Sequence, residues 1–414
     1  MKNPFILILS SILLFSLVIG CRSVQDKNNP VTPINETTPP DAELCKNNNR
    51  FALDLFKNIN SKSQNTFFSP YSISVAIAMM YAGARSETEK QINDVFHFGS
   101  NNTDLYNKYN AFLRYINSLN APDLLSIYTA NSIWAQKDFK FKPAYIEILR
   151  SKFNSELKLL DFIKDPEKSR IQINTWVEQQ TNQKIKDLIP QGMIDQLTRL
   201  VLVNAIYFKA AWDMPFNENA TKKEGFFVNE VDSVVSDFMI AENMYKLYQD
   251  KTYTAIEVPC AKAKLSMLLI LPSSKDGLVE LQKQLNIECY SNILDKLSPA
   301  KVKLHLPTFT IESEFELSAM LKSMGMNDAF SDAADFSGMT GKKNLKISKV
   351  VHKTFIHVNE AGTEAAAATA VIIRLKTVPA KVLELKIDHP FMFFIKENTY
   401  NSIIFAGTMY NPTR

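Results

Sequence analysis

The chain has 414 residues, of which 46% are hydrophobic and 22% are charged, and its formal net charge is +4. This composition is that of an ordinary globular protein and excludes a disordered chain. The small net charge, without a basic block, gives no reason to expect a nucleic-acid partner.

The first 20 residues have the composition of an export signal rather than of a folded element. Lys2 gives a positive start, and residues 5–19 are an apolar run of signal-peptide length. The run ends in LVIGC, whose last residue is Cys21. This ending resembles a bacterial lipobox, in which the cysteine is acylated, for example with palmitate, and becomes the mature N-terminus. A plain secretory signal cleaved nearby and an N-terminal anchor helix are the alternatives.

Residues 21–43 are predicted to be the acylated N-terminus and a flexible tether, because four prolines among Asn, Thr and Asp residues cannot bury a core. Residues 44–414 are the predicted single folded domain, and no later apolar run is long enough to span a bilayer. We therefore expect an exported bacterial lipoprotein that is membrane-anchored at the outer membrane or cell surface. It would face the periplasm or the exterior.

Three further cysteines, Cys45, Cys260 and Cys289, are widely separated in the chain. Their spacing indicates neither a disulfide framework nor a zinc site. One bridge is possible, and isolated thiols are favoured. We expect no metal and no cofactor.

Helices are predicted over most of the first half. Ser69 is a natural N-cap and Pro70 a natural first helical residue, and residues 73–81 are apolar nearly all round, which predicts a buried helix ending at Gly83. The sequence SETE at residues 86–89 predicts a capping box for the next helix. Further helices are predicted at 50–60, 103–119, 143–153 and 165–182, and strands at 125–135, 157–162 and 200–208.

Strands dominate the second half. Residues 226–271 are rich in strand patterns, further strands are predicted at 302–311, 345–358, 391–395 and 402–407, and helices at 278–297 and 316–324. Because strands and helices do not alternate regularly, the predicted class is α+β with mostly antiparallel sheets. Asn204 lies within a predicted buried strand, so its side chain needs hydrogen-bond partners.

The stretch from residue 358 to 377, VNEAGTEAAAATAVIIRLKT, contains an alanine run that would ordinarily indicate a helix. Its odd positions from 363 to 375 are all small or apolar, whereas its even positions are mixed and end in charge. This alternation has a period of two, which is typical of a strand with one core-facing side. The stretch is therefore predicted to be a strand that is initially outside any sheet and is able to enter an existing one.

An ordered set of six motifs covers the body of the chain from about residue 45 to 412. Together these motifs resemble the serpins. They are NTFFSPYSI (65–73), LVNAIYFKAAW (202–212), VHKTF (351–355), NEAGTEAA (359–366), DHPFMFFI (388–395) and IFAGTMYNP (404–412).

The resemblance implies a serpin fold, with three mostly antiparallel β-sheets, about nine helices and an exposed reactive-centre loop from Gly362 to about Ala380. In such a protein a target protease cleaves the loop, which then inserts as a new strand of the central sheet. Insertion carries the acyl-linked protease to the far pole. The native form would be kinetically trapped.

The resemblance also implies where the loop is cut. The spacing that inhibitory members show from the hinge Glu360 leads to the bond between Lys376 and Thr377, which suits trypsin-like serine proteases. Arg374 is a competing basic site, and Ile373 or Leu375 would suit elastase- or chymotrypsin-like enzymes. The hinge corresponds to the following small and acidic residues: Glu360, Gly362, Thr363, Glu364, Ala365, Ala366, Ala367 and Ala368.

Two further family regions carry over residue by residue. Ser69, Ser72, Asn204 and His352 match the shutter, a polar cluster beneath the strands that must part, although helix capping and satisfied buried polar groups would also account for them. Trp212 and Glu360 match the breach, where the loop first enters. The lysine that pairs with the hinge glutamate in well-known members is replaced here by Thr308, which puts that salt bridge in doubt.

Other functional classes fit less well. The five histidines accompany no hydrolase, metalloprotease or nucleotide-binding motif, and Asp388-His389 lies beside Pro390 in a strand context, so we expect no enzyme. A non-inhibitory serpin that acts as a surface binding or chaperone-like protein is the alternative, although such members usually have bulky or charged hinges. No glycosaminoglycan site is evident at residues 103–119, and a monomer is expected.

Overall fold

The computed structural model describes residues 38–59, 64–99, 102–363 and 382–414, apart from the side chains of residues 102 and 103. The predicted signal, Cys21 and most of the tether lie outside these residues. So do the loop positions Glu364, Ala365, Ala366, Ala367, Ala368, Ile373, Arg374, Leu375, Lys376 and Thr377. Within the described ranges, no helix has both the length and the apolar character needed to cross a bilayer.

Ten α-helices occur in the described part of the chain. They are α1 (Ala42–Asn58), α2 (Pro70–Tyr81), α3 (Ser86–Phe96), α4 (Asn102–Ser118), α5 (Pro143–Phe153), α6 (Pro166–Gln180), α7 (Leu278–Gln284), α8 (Ile287–Lys296), α9 (Ser318–Ser323) and α10 (Ser337–Thr340).

Fifteen strands accompany them in the same ranges. They are β1 (Thr66–Phe68), β2 (Leu125–Gln136), β3 (Leu157–Leu160), β4 (Leu200–Ala211), β5 (Lys222–Phe227), β6 (Ser233–Gln249), β7 (Tyr253–Cys260), β8 (Leu265–Pro272), β9 (Ser298–Pro307), β10 (Phe309–Glu316), β11 (Lys349–Asn359), β12 (Gly362–Thr363), β13 (Leu383–Lys386), β14 (Phe391–Glu397) and β15 (Ile403–Met409).

Two hydrogen-bonded sheets contain these strands. The six-stranded sheet has the order β10-β11-β12-β4-β2-β3, and the nine-stranded sheet has the order β1-β15-β14-β8-β7-β6-β9-β13, with β5 paired to β6. The α+β class is confirmed, whereas the expected three sheets appear as two. The reason is the length of β6, whose 17 residues pair with β5, β7 and β9 and thereby join two groups of strands into one sheet.

The buried helix α2 lies at the centre of the main core. Ser69 caps it by accepting a hydrogen bond from the backbone of Ser72, Pro70 is its first residue, and all its residues are buried, as the sequence predicts. It packs against α1 and against β2, β4 and β15. On the opposite face of the six-stranded sheet, α6 and the segment after it cover β2, β4 and β11 with a second apolar cluster. Strand β4, near the middle of the sheet, is therefore buried on both faces.

Several predicted boundaries were wrong. Helix α1 begins at Ala42 rather than near residue 50, because the Asp41 carboxylate caps it. The capping box at Ser86 does not form, since Ser86 has a positive φ of 55° and its hydroxyl donates to Asp335. The predicted helix 278–297 is two helices, because Asn286 caps a second one.

Candidate functional site

Strands β4 and β11 adjoin one another over only part of their length. Residues Lys349–Phe355 of β11 pair in parallel with residues 201–207 of β4. Beyond that point the two-residue strand β12 lies between them and is antiparallel to both. Thr363 is opposite Val358 on one side and Ala210 on the other. The six-stranded sheet is thus open at one end, and Gly362 and Thr363 of the predicted hinge occupy the opening.

Both residues of β12 fit closely into the opening. Gly362 has a φ of +151°, and a Cβ atom there would lie 2.1 Å from the carbonyl oxygen of Ala210, so only glycine fits without displacement. Thr363 is 0% exposed. Its hydroxyl donates to the Ala210 carbonyl at 3.1 Å and accepts from the Ala210 amide at 2.6 Å. The buried Thr363 agrees with the predicted core-facing parity of the stretch.

The hinge turn, defined as residues 359–362, is held mainly by the chain that follows β4. The Trp212 indole donates to the Asn359 carbonyl at 2.8 Å, and the Trp212 amide donates to the Ala361 carbonyl at 3.1 Å. The Phe216 amide donates to the Glu360 carbonyl at 2.9 Å. The structure therefore brings together Trp212 and Glu360, the two residues assigned to the breach from sequence.

The side-chain partner of Glu360 is a residue that the sequence did not suggest. Thr221 donates its hydroxyl to Glu360 Oε1 at 2.5 Å. Thr308, the position matched in the sequence to the lysine of other members, instead bonds to the Asp237 carbonyl through its amide at 2.9 Å and its hydroxyl at 3.3 Å. No local pattern could have identified Thr221, because it is 139 residues from Glu360 in the chain.

The four residues assigned to the shutter from the sequence form one buried cluster, and each is 0% exposed. The amide of Ser69 donates to His352 Nε2 at 3.0 Å, so that nitrogen carries no proton. His352 Nδ1 contacts the Asn204 side-chain oxygen. The Asn204 amide donates in turn to the Ser72 carbonyl at 2.8 Å and to the Ser72 hydroxyl at 2.5 Å.

Two partners outside the predicted set complete this cluster. Asn131 of β2 accepts hydrogen bonds from the Asn204 amide and from the Ser72 hydroxyl. The Ser69 hydroxyl donates to the Ile404 carbonyl at 2.7 Å. The cluster therefore ties α2 to β2, β4, β11 and β15, and the buried Asn204 has the partners that its position demands.

His352 is held in its neutral form. Burial lowers the pKa of its imidazole to about 3. The geometry gives the same direction, because a proton on Nε2 would face the amide hydrogen of Ser69 and would leave that amide without an acceptor. The pairing between His352 and Asn204 also lies within the parallel contact of β4 and β11, so the cluster spans the two strands that insertion would separate.

The chain is similar in sequence and in fold to known proteins of one family. A family model described as "Serpin (serine protease inhibitor)" matches residues 46–412. The chain belongs to the serpin family. Human Serpin B3 is 37% identical over 387 residues, covering 89% of this chain and 99% of the relative. The leukocyte elastase inhibitor of Xenopus tropicalis is 37% identical over 371 residues, covering 87% of this chain and 97% of the relative.

A solved structure shares the fold. Uncleaved ovalbumin superposes with a TM-score of 0.80 at 28% identity, covering 89% of this serpin and 100% of that chain. The protein therefore has the serpin fold and belongs to a family of protease inhibitors rather than enzymes.

Its free thiols Cys45 and Cys260 are buried and Cys289 is exposed.

Proposed function

We propose that this serpin inhibits serine proteases by suicide-substrate covalent trapping. The protease cleaves the loop and forms an acyl bond, the freed loop enters the six-stranded sheet between β4 and β11, and the attached protease is carried to the far pole. The observation that carries the proposal is β12, because its two residues already pair with both strands in the orientation that an inserted strand requires.

Continuing this register supports the proposal further. Thr363 lies opposite Val358 and Ala210, so each further odd position in an inserted strand would face the core as Thr363 does. If the inserted strand keeps this register along both neighbours, its Thr369 would lie opposite His352 of β11 and Asn204 of β4. A hydroxyl would then be available where insertion separates the two polar side chains.

The energetics favour insertion after cleavage. An inserted strand of some fifteen residues gains hydrogen bonds on both edges at roughly 1 kcal/mol net each, which amounts to some ten to twenty kcal/mol. A gain of this size equals or exceeds the stability of a typical domain, about 5–15 kcal/mol. The uncleaved form is therefore a kinetic trap in this proposal.

Specificity is assigned to the bond between Lys376 and Thr377. A basic residue at the cut site suits trypsin-like enzymes, whose specificity pocket carries a carboxylate, and Arg374 is the competing basic position. Ile373 or Leu375 would serve elastase- or chymotrypsin-like enzymes. The name of a similar relative, leukocyte elastase inhibitor, supports testing elastase beside trypsin.

The test is incubation of the purified protein with trypsin, chymotrypsin and elastase, followed by denaturing electrophoresis and mass spectrometry of the released peptide. We expect an SDS-stable complex with trypsin and a peptide that begins at Thr377. If every protease cleaves the loop and departs without a covalent complex, the inhibitory function is wrong. The protein would then be a non-inhibitory member.

We also propose that the protein is an exported lipoprotein anchored through Cys21. The support is the lipobox-like ending of the apolar N-terminal run. Metabolic labelling with a palmitate analogue in a bacterial host should label the wild type and leave Cys21→Ser unlabelled. Equal labelling of both proteins would contradict the anchor, and Cys289→Ser is the matched control because that thiol is exposed.

A further inference from the structure

Strand β13 is the first element of the described structure after the loop. It has four residues, lies at an edge of the nine-stranded sheet and, among the described strands, pairs only with β9. This pairing is parallel, which is slightly weaker per residue than antiparallel pairing, and Leu383 and Leu385 are at least partly exposed. Polar side chains must therefore help to hold the C-terminal end of the loop in place.

Five charged or titratable side chains connect β13 to β9 and β5. Lys303 Nζ of β9 lies 2.9 Å from Glu384 Oε1, and Lys386 Nζ lies 2.9 Å from Glu224 Oε2 of β5. His305 of β9 lies between the two carboxylates, with Nδ1 2.9 Å from Glu224 Oε1 and Nε2 3.0 Å from Glu384 Oε1. We call these five residues the β13 clamp.

His305 is the buried centre of the clamp, with 4% of its side chain exposed. Its Nδ1 contact with Glu224 is a hydrogen bond, whereas its Nε2 contact with Glu384 has an ion-pair distance but is out of line for a hydrogen bond. An ionised carboxylate can only accept, so each ring nitrogen complements its neighbour only when it carries a proton. The imidazolium therefore fits this position, and a neutral ring would turn a lone pair towards one carboxylate.

The surroundings of His305 keep both carboxylates charged. Burial would raise the pKa of Glu224, but hydrogen bonds from Lys386 and His305 hold it below its usual value. The hydrogen bond from Lys303 lowers the pKa of Glu384. Histidine is the side chain whose charge ordinarily changes between pH 5 and 8. The other charged groups on the elements around the clamp are Lys222 of β5, Glu242 of β6, Lys301 of β9 and Asp388 after β13, and Glu242 is paired with Lys301.

We propose that the β13 clamp holds the C-terminal end of the loop while His305 is protonated and loosens when His305 loses that proton. The pH then sets the lifetime of the uncleaved inhibitor. This proposal rests on the proposed insertion of the loop and adds a control that acts before any protease arrives.

Chain length connects the clamp to insertion. Lys386 pairs with His305, four residues before β10 begins at Phe309, and Phe309 is paired to Val358, the partner of Thr363. Strand β13 therefore lies towards the open end of the six-stranded sheet. An inserted strand of some fifteen residues would extend about 50 Å from that end, and the roughly five residues left before β13 span at most about 18 Å. An uncleaved loop can therefore insert fully only after β13 detaches.

Cleavage removes this requirement, because the inserting part of the loop is then no longer joined to β13. A weakened clamp should therefore shorten the lifetime of the uncleaved protein and leave the stoichiometry of inhibition by fresh protein unchanged. The two variants that test it are His305→Gln, which removes the titrating ring, and Glu384→Gln, which alters a half-exposed carboxylate and leaves the buried ring in place.

Hydrogen exchange of the full-length protein measures β13 directly, as the protection of amides 383–387 after correction for the intrinsic effect of pH. We expect the protection in the wild type to fall about fivefold between pH 6 and pH 8, the effect of losing one partly exposed ion pair. In His305→Gln and in Glu384→Gln this fall should be absent. His97→Gln, which removes a histidine at the end of α3, should keep the wild-type fall.

The lifetime is measured by incubating each uncleaved protein at pH 6 or pH 8 and then titrating trypsin at one common pH. The wild type should lose inhibitory capacity about fivefold faster at pH 8, whereas His305→Gln should lose it at the same rate at both pH values. A wild-type protection that does not change with pH, or a His305→Gln protein that keeps the wild-type fall, overturns the clamp. Equal wild-type lifetimes at both pH values overturn its control of insertion. If the wild type traps no protease, the proposed function fails, and the exchange measurements still decide whether His305 holds β13.

Discussion

Replacement of Thr363 by arginine is the sharpest test of insertion. Thr363 is 0% exposed and lies between β4 and β11, with its hydroxyl bonded to both the amide and the carbonyl of Ala210. Among the described residues, the side chain of Thr363 bonds only to backbone groups of Ala210, which offer no counter-charge to an arginine. Residue 363 must therefore leave the sheet or bury an unpaired guanidinium.

The magnitude follows from this burial. An unpaired buried charge costs several kcal/mol even after relaxation, and we take about 4 kcal/mol. If residue 363 is seated in the transition state for insertion, this amount slows insertion about a thousandfold, at 1.36 kcal/mol for each factor of ten. Hydrolysis of the acyl bond, whose chemistry lies at the far end of the loop, is unaffected. Thr363→Arg should therefore be converted from inhibitor to substrate.

The assay is titration of trypsin with each variant, read as the stoichiometry of inhibition and as the partition between complex and cleaved inhibitor on a denaturing gel. Thr363→Ser keeps the hydroxyl and should resemble the wild type. Val235→Arg adds the same charge at a position that is 66% exposed on β6 and should leave the stoichiometry unchanged. A Thr363→Arg protein that inhibits as efficiently as the wild type would refute the insertion model.

Two other predictions concern specificity and pH. Lys376→Ala should lower the second-order rate constant of trypsin inhibition far more than Arg374→Ala does. If Arg374→Ala has the larger effect, the reactive bond lies after Arg374. When the pH falls from 7 to 5, the wild type should lose about 2 kcal/mol more of its free energy of unfolding than His352→Gln loses, as measured by urea unfolding.

The sign of the pH effect comes from the buried imidazole. The folded-state pKa of His352, about 3, lies below the unfolded value of about 6.5. The neutral imidazole therefore contributes its full stability above pH 6.5, and this contribution is lost as the pH falls from there towards 3. His97, whose side chain is 34% exposed at the end of α3, provides the control variant His97→Gln. A pH dependence of His352→Gln equal to that of the wild type would contradict the interpretation.

Local chemistry made much of the fold predictable. Ser69 and Pro70 identify the start of α2 because the serine cap and the fixed φ of proline both act on residues within three positions in the chain. Thr363 was expected to face the core because side-chain parity along a strand needs no knowledge of the partner. The limits of α5 at Pro143 and Phe153 were predicted for the same reason, since proline and an apolar face are visible in the sequence.

Contacts between distant segments were not predictable from the sequence. Asn131 completes the cluster from β2, and Thr221 contacts Glu360 from the residue before β5. Neither residue carries a local signal of its partner. The failed capping box has the same origin. Ser86 could cap its own helix, but its hydroxyl bonds to Asp335, 249 residues away, so tertiary structure overrides the local motif.

If the loop inserts as proposed, the pairing of β4 and β11 makes the hinge and the cluster act in opposite directions. β4 and β11 meet in parallel, and parallel pairing is slightly weaker than antiparallel pairing. An inserted strand would replace this one interface with two antiparallel ones, as β12 already does at the open end. Insertion must first separate His352 from Asn204, which lie midway along the parallel contact. Under the proposed mechanism, the hinge would start a favourable process that the buried cluster delays, and a variant that weakens the cluster should insert its uncleaved loop sooner.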